Sequence, residues 1–225
     1  VYFTQPWHPA SRMNPSVHHH RQIIEVSGEG TVSAPPDRAV IDLGVITENP
    51  SLSDAQRDNA ASIANIVHSL VQLGIPKEQI QTVTYRVDIQ YNYVEGKQIL
   101  RGYQVTHMLQ ITLEQINQTG LVVDTAVNHG ANSVSGIRFS IANPDMYYNR
   151  SLALAVKNAE AKAITIARTI GATLITLPVK VQEEARSREP IPYQASLMAQ
   201  SAPATPILPG ELKITAAIRA AYTYA

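Results

Sequence analysis

Apolar and polar residues alternate most strictly between residues 80 and 114. Val83, Tyr85, Val87, Ile89, Tyr91 and Tyr93 hold every second position, with Thr82, Thr84, Arg86, Asp88, Gln90 and Asn92 between them. Glu95-Gly96-Lys97 marks a turn. Ile99, Tyr103, Val105, Leu109, Ile111 and Leu113 then continue the pattern. A period of two puts alternate side chains on one face, so this stretch predicts a long β-hairpin with its odd-numbered face in the core. On that reading the even face and the tip, with Gln90, Tyr91, Asn92 and Tyr93, are left free as a possible interface.

The same logic predicts a strand at Ile24 to Val32 and another at Val40 to Thr47, joined as a hairpin through Pro35-Pro36-Asp37. Ser53 to Leu73 reads as a helix: Ser53 and Gln56 have capping-box spacing, and Ile63, Ile66, Val67 and Leu70 form one stripe. Gly74 and Pro76 stop it. A second helix is expected over 117–129 and a strand over 132–142. A third helix runs from Asn143-Pro144-Asp145 to about residue 170, with Leu152, Ala155, Val156, Ala159, Ala163, Ile166 and Ile170 inward. Strands at 173–183 and 211–224 complete the set. The fold class is therefore α+β, an antiparallel or mixed sheet of about seven strands around the hairpin, with three helices mainly on one face. Helix, Gly and strand recur as Leu73-Gly74-Ile75, His129-Gly130-Ala131 and Ile170-Gly171-Ala172. That is either an internal duplication or ordinary helix punctuation.

Outside these elements the chain changes character. Residues 1–21 carry three prolines, three aromatics and His18-His19-His20 without any period, and read as a flexible arm. Residues 185–209 are rich in Pro and Ala and read as a long loop. Residues 22–225 are taken as a single domain.

Composition narrows the function. Hydrophobic residues make up 44% of 225, enough for a core. Charged residues are only 16%, against ~25% in a typical domain, which favours self-association. Eighteen basic residues balance eighteen acidic ones with no basic stripe, which argues against nucleic acid as partner. Cysteine is absent. No apolar run reaches the ~18 residues of a membrane helix. The chain starts at Val1 without Met, so a signal peptide could have been removed upstream.

Candidate chemistry is sparse. Gly28-Glu29-Gly30 lacks the third glycine and the following helix of a nucleotide loop; glycines easing a bend or close packing within a strand fit better. Asn132-Ser133-Val134-Ser135-Gly136 only loosely imitates a nucleophile elbow and reads as turn and edge residues. His68, His107 and His129 form no metal-binding spacing; His107 lies on the apolar face and reads as a core histidine bonded to the backbone rather than a general base. Glu183-Glu184 with Arg186 and Arg188 reads as a solvated charge run. The expectation is no catalytic residue, no metal site and no cofactor.

Several ordered segments resemble the SIMPL-domain family, which includes bacterial periplasmic immunogenic proteins. They are Val26-Ser27-Gly28-Glu29-Gly30, Pro36-Asp37, Leu43-Gly44-Val45, Leu73-Gly74-Ile75 with Ile80-Gln81-Thr82, and Gln90-Tyr91-Asn92-Tyr93 through Gly102-Tyr103. Gly130-Ala131-Asn132, Val134-Ser135-Gly136 and Pro209-Gly210-Glu211 follow. The resemblance implies an α+β fold, frequent export, ring-like or channel-like oligomers in some members, links to stress tolerance, and no established catalytic residues. The resemblance suggests an extracytoplasmic address, against which stands that residues 1–21 do not resemble a signal peptide. The expected function is a non-enzymatic, homo-oligomerising scaffold or interaction module. The alternative is a small-molecule binding protein with a pocket between sheet and helices.

Overall fold

The computed structural model describes residues 22–184, 191–193 and 205–225. The 1–21 arm with its histidine triplet, Arg186, Arg188 and most of the 185–209 loop lie outside the described residues. In chain order the elements are β1 (Ile23–Ala34), β2 (Arg38–Asn49), α1 (Leu52–Gln72), β3 (Ile80–Val94), β4 (Lys97–Leu113) and α2 (Thr119–Asn128). β5 (Ser133–Ser140), α3 (Pro144–Thr169), β6 (Lys180–Glu183), β7 (Ile191–Tyr193) and β8 (Glu211–Thr223) follow. The class is α+β. The strands do not share one sheet, however. They divide between a terminal sheet of order β1-β8-β6, with β7 also on β8, and a hairpin sheet of order β3-β4-β2-β5.

β1 and β2 therefore do not form the expected hairpin. Pro35-Pro36-Asp37 carries the chain from one sheet to the other instead of reversing it. The prolines have no N–H to close a turn across themselves. Asp37 fixes the crossing: its N–H donates to the Ser140 carbonyl at 3.1 Å, and its carboxylate accepts from the Ala142 N–H at 2.7 Å.

The hairpin sheet is packed by large aliphatic side chains. Ile63, Ile66 and Leu70 of α1 and Val122 of α2 meet Ile41 and Leu43 of β2 and Leu109 and Ile111 of β4. α1 starts earlier than expected, with Ser51 rather than Ser53 as its N-cap and the Ser51 hydroxyl 3.5 Å from the Asp54 N–H. All three helices end alike, on Gly74, Gly130 and Gly171, with φ of 95°, 111° and 76°. In each, the N–H after the glycine returns to a carbonyl in the last turn, as Ile75 does to Leu70 at 3.0 Å. The recurring triplet is one capping geometry used three times.

The terminal sheet is packed by small residues. α3 buries Tyr148, Ser151, Ala155, Ala159, Ala163 and Ala167, while Val156, Ile166 and Ile170 of the expected stripe are exposed. The reason lies in β1. A Cβ on Gly28 would strike the Ala155 carbonyl oxygen and lie 2.8 Å from the Ala159 Cβ; one on Gly30 would lie 2.6 Å from the Ala155 nitrogen. Helix and strand backbones touch, so only alanine and serine fit between them. The Ser151 hydroxyl donates to the Ile214 carbonyl of β8 at 2.7 Å across this seam.

The strand expected over 173–183 is interrupted. Leu174 makes a single bridge to Tyr224, and regular pairing resumes only at Lys180. Pro178, without an N–H, stands in the gap.

Candidate functional site: the open flank of the long hairpin

β3 and β4 pair from Ile80↔Ile111 to Val94↔Lys97, so the expected hairpin is present. Its place in the sheet overturns its expected role. β4 is central and buries Val105, Leu109, Ile111 and Leu113. β3 is the edge strand, and α1 lies over β2 and β4 without reaching across it. The odd face of β3 points to the helix side but is not core: Tyr85 is 52% exposed, Val87 37%, Ile89 50% and Tyr93 75%.

Two bulges set which residues share this face. The register shifts at Val83, between Thr82 and Thr84. Below it, Thr82 faces the helix side; above it, Tyr85 does. A second shift falls at Arg101, where Gln90 pairs with Gly102 but Tyr91 pairs with Leu100. An extra residue in one strand reverses the alternation beyond it. Leu100 therefore joins Tyr91 and Tyr93, while Ile99 turns to the Asn92 side, against the expectation that grouped it with Tyr103 and Val105.

Gly102 makes the second bulge possible. A Cβ there would stand 2.7 Å from the Asn49 carbonyl oxygen, so the strand passes hard against the end of β2. Glu48 clamps the same place, accepting from Arg101 at 2.7 Å and from Gln104 at 2.8 Å. Beyond the clamp, residues 91–100 form a two-stranded ribbon that no third strand pairs. Tyr91 and Tyr93 stand on one side of it and Asn92 on the other. Gln90, half buried beside Gly102, lies at its base.

His107 is not a core histidine bonded to the backbone. It sits half exposed opposite Tyr85, with ring centroids 5.2 Å apart and edge-on, and its Nε2 is 3.0 Å from the Thr82 hydroxyl. Partial burial holds its pKa below the ordinary value, because the charged imidazolium loses solvation there. The Tyr85 hydroxyl accepts from the Gln56 amide at 3.1 Å, a bridge from α1 to β3. Behind it Asn59, fully buried in α1, donates to the Val45 and Val105 carbonyls at 3.1 and 3.2 Å and ties helix to sheet. The other singled-out groups are engaged elsewhere. Glu183 accepts from the Tyr148 hydroxyl at 2.6 Å, Glu184 pairs with Arg219, and Ser135 donates to the Asp42 carbonyl. Among the described residues no three His, Asp or Glu side chains gather as a metal cluster, and no helix is long and apolar enough to cross a membrane.

The SIMPL family model, described as a protein of unknown function, matches residues 24–222. This chain belongs to the SIMPL family. The 26 kDa periplasmic immunogenic protein of Brucella melitensis is 29% identical to it, over 84% of this chain and 79% of the relative. The uncharacterized protein YggE of Escherichia coli is 26% identical, over 80% and 73% respectively. The interleukin-1 receptor-associated kinase 1-binding protein 1 of Homo sapiens is 27% identical, over 72% of this chain and 59% of the relative. The SIMPL match spans both sheets, from β1 to β8.

Proposed function

We propose that this SIMPL protein is a non-enzymatic assembly module, residues 22–225 acting as one unit, that associates with further copies of itself through β3 and the ribbon beyond it. The observation that carries the reading is the row Tyr85, Val87, Ile89, Tyr91 and Tyr93. It alternates as a buried strand would, yet stands open along an edge whose outer backbone groups have no partner among the described residues. Unpaired edges with apolar faces are templates for another chain. The low charge of the chain removes the repulsion that would keep copies apart. A relative named for binding a kinase is in keeping with an interaction role. The stress tolerance implied by the family resemblance is the setting in which such a scaffold would act.

Light scattering on the purified chain at micromolar concentration tests this. The expected mass is a multiple of the single chain, falling to one chain in Ile89→Lys, which puts a charge on the open edge. A wild-type monomer, or an Ile89→Lys variant of unchanged mass, refutes it.

A further inference from the structure

Where α1 leaves the hairpin sheet bare, a trough of about 570 Å³ runs along its flank. Its helical wall is one flank of α1, with Gln56, Ala60, Ile63, Ala64, Val67 and Val71 in succession. Tyr85 and His107 form the facing wall. From Gln56 to Val71 the helix rises roughly 22 Å, so the lining runs along about four turns of α1. A trough elongated along a helix and walled by small and aliphatic side chains suits an extended apolar chain.

The lining also has a polarity along its length. The middle is mainly apolar, with Ala60, Ile63, Ala64, Val67 and Val71, and carries Asn59 and His68 among them. One end is barred by the Gln56–Tyr85 bridge. At the other, past the end of α1, stands Lys77, with no ion pair among the described residues. His68 and His107 are the other ionisable nitrogen groups of the wall, and no Asp or Glu lines it. A pocket with apolar walls and a few placed polar groups selects a ligand of matching pattern, and the unopposed cation selects an anion.

We propose that the trough binds a single-headed anionic amphiphile, a medium- to long-chain carboxylate. Its head lies at Lys77 and its alkyl chain runs past Ala64 and Ala60 toward Tyr85. This ligand site shares Tyr85 with the proposed assembly edge, but its lining includes neither Ile89 nor the ribbon beyond it.

Titrate the full chain, below micelle-forming concentrations, with dodecanoate, dodecan-1-ol and acetate, and follow binding by calorimetry. Dodecanoate is expected to saturate at one per chain, dodecanol to bind at least tenfold more weakly, and acetate not to bind. Lys77→Glu is expected to weaken dodecanoate tenfold or more. Ala64→Trp, a change at an exposed position that fills the trough, is expected to abolish binding while leaving the thermal midpoint in place. Ile89→Lys lies outside the trough lining and is expected to keep the wild-type affinity, so a failure of assembly is separable from a failure of this site. No saturable binding of dodecanoate, equal binding of dodecanol, or undiminished binding by Ala64→Trp overturns the proposal.

Discussion

β1 and β3 are both edge strands, and both alternate apolar and polar residues, yet they end in opposite states. β1 buries Ile24 and Val26 under α3, with Gly28 and Gly30 letting the helix settle directly on the backbone. Its outer edge is blunted as well: Asn158 accepts from the Glu29 N–H at 3.2 Å, and Lys162 donates to the Ser27 carbonyl at 2.8 Å. β3 has neither cover. α1 meets its sheet through large side chains centred on β2 and β4, and the one described bond from α1 to β3 is the Gln56–Tyr85 bridge. Alternation reports which face a side chain takes; it does not report whether anything lies over that face.

The largest effect is expected inside the long hairpin itself. Leu109 and Ile89 face the same side, one under α1 and one beside it. Leu109→Ala should cost roughly 2–5 kcal/mol, the range for a buried leucine. Ile89→Ala in the monomer should stay within about 0.5 kcal/mol. Paired urea denaturations measure both, and equal costs would erase the distinction between covered and open strands.

Next comes the seam over β1. Gly28→Val puts a branched side chain against the Ala155 carbonyl, and should destabilise by about 1–3 kcal/mol or more. An unchanged denaturation midpoint would mean that α3 does not touch β1 so closely. Smaller still, Lys162→Ala should cost about 0.5–1.5 kcal/mol through the lost bond to Ser27. If β1 behaves as a capped edge, the double variant with Asn158→Ala should also gain a tendency to aggregate.

The smallest effect is a pH dependence. Folding lowers the His107 pKa below the ordinary 6.5, so the unfolded chain takes up the proton first as pH falls. The contribution of His107 is therefore complete above about pH 6.5 and is lost as pH drops through the folded value. His107→Gln should flatten that part of the profile. A wild-type midpoint identical at pH 7.5 and 5.5, with the variant matching it, would remove His107 as the source.

Much of this was legible in the chain. The three helices, the hairpin with its turn at Glu95-Gly96-Lys97, and β8 follow from periods of 3.6 and 2, because those periods come from local backbone geometry. Of the two readings open for Gly28 and Gly30, a bend or close packing, the structure selects close packing. What escaped was whatever depends on a neighbour distant in sequence. Pro35-Pro36-Asp37 looks like a turn until Ser140 and Ala142 are seen to hold Asp37. Val156 and Ile166 fit the α3 stripe by hydrophobicity alone, because nothing local to the helix reveals the glycine backbone that lies opposite. The bulge at Arg101 had a local signal, Gly102 within an alternating strand, that went unread. At the candidate interface Tyr91 and Tyr93 stand out in the sequence, whereas Val87 and Ile89 beside them read as core and Leu100 falls outside the alternation, since edge and centre look alike in one strand.

The partner of β1 has a kinetic consequence. The hairpin sheet is complete once residue 140 has been made: β3 and β4 are neighbours in the chain, and β2 reaches β4 and β5 across roughly 50 to 100 residues. The terminal sheet joins β1 to β8, roughly 190 residues later, and closing a loop of that length must precede any contact that rewards it. Until β8 arrives, β1 has no ladder partner, and the glycine seam awaiting α3 has no strand behind it. During synthesis the two sheets should thus appear in order, the hairpin half first and the terminal half last. A stretch of time follows in which a slow step at the far end of the chain decides whether the whole molecule closes.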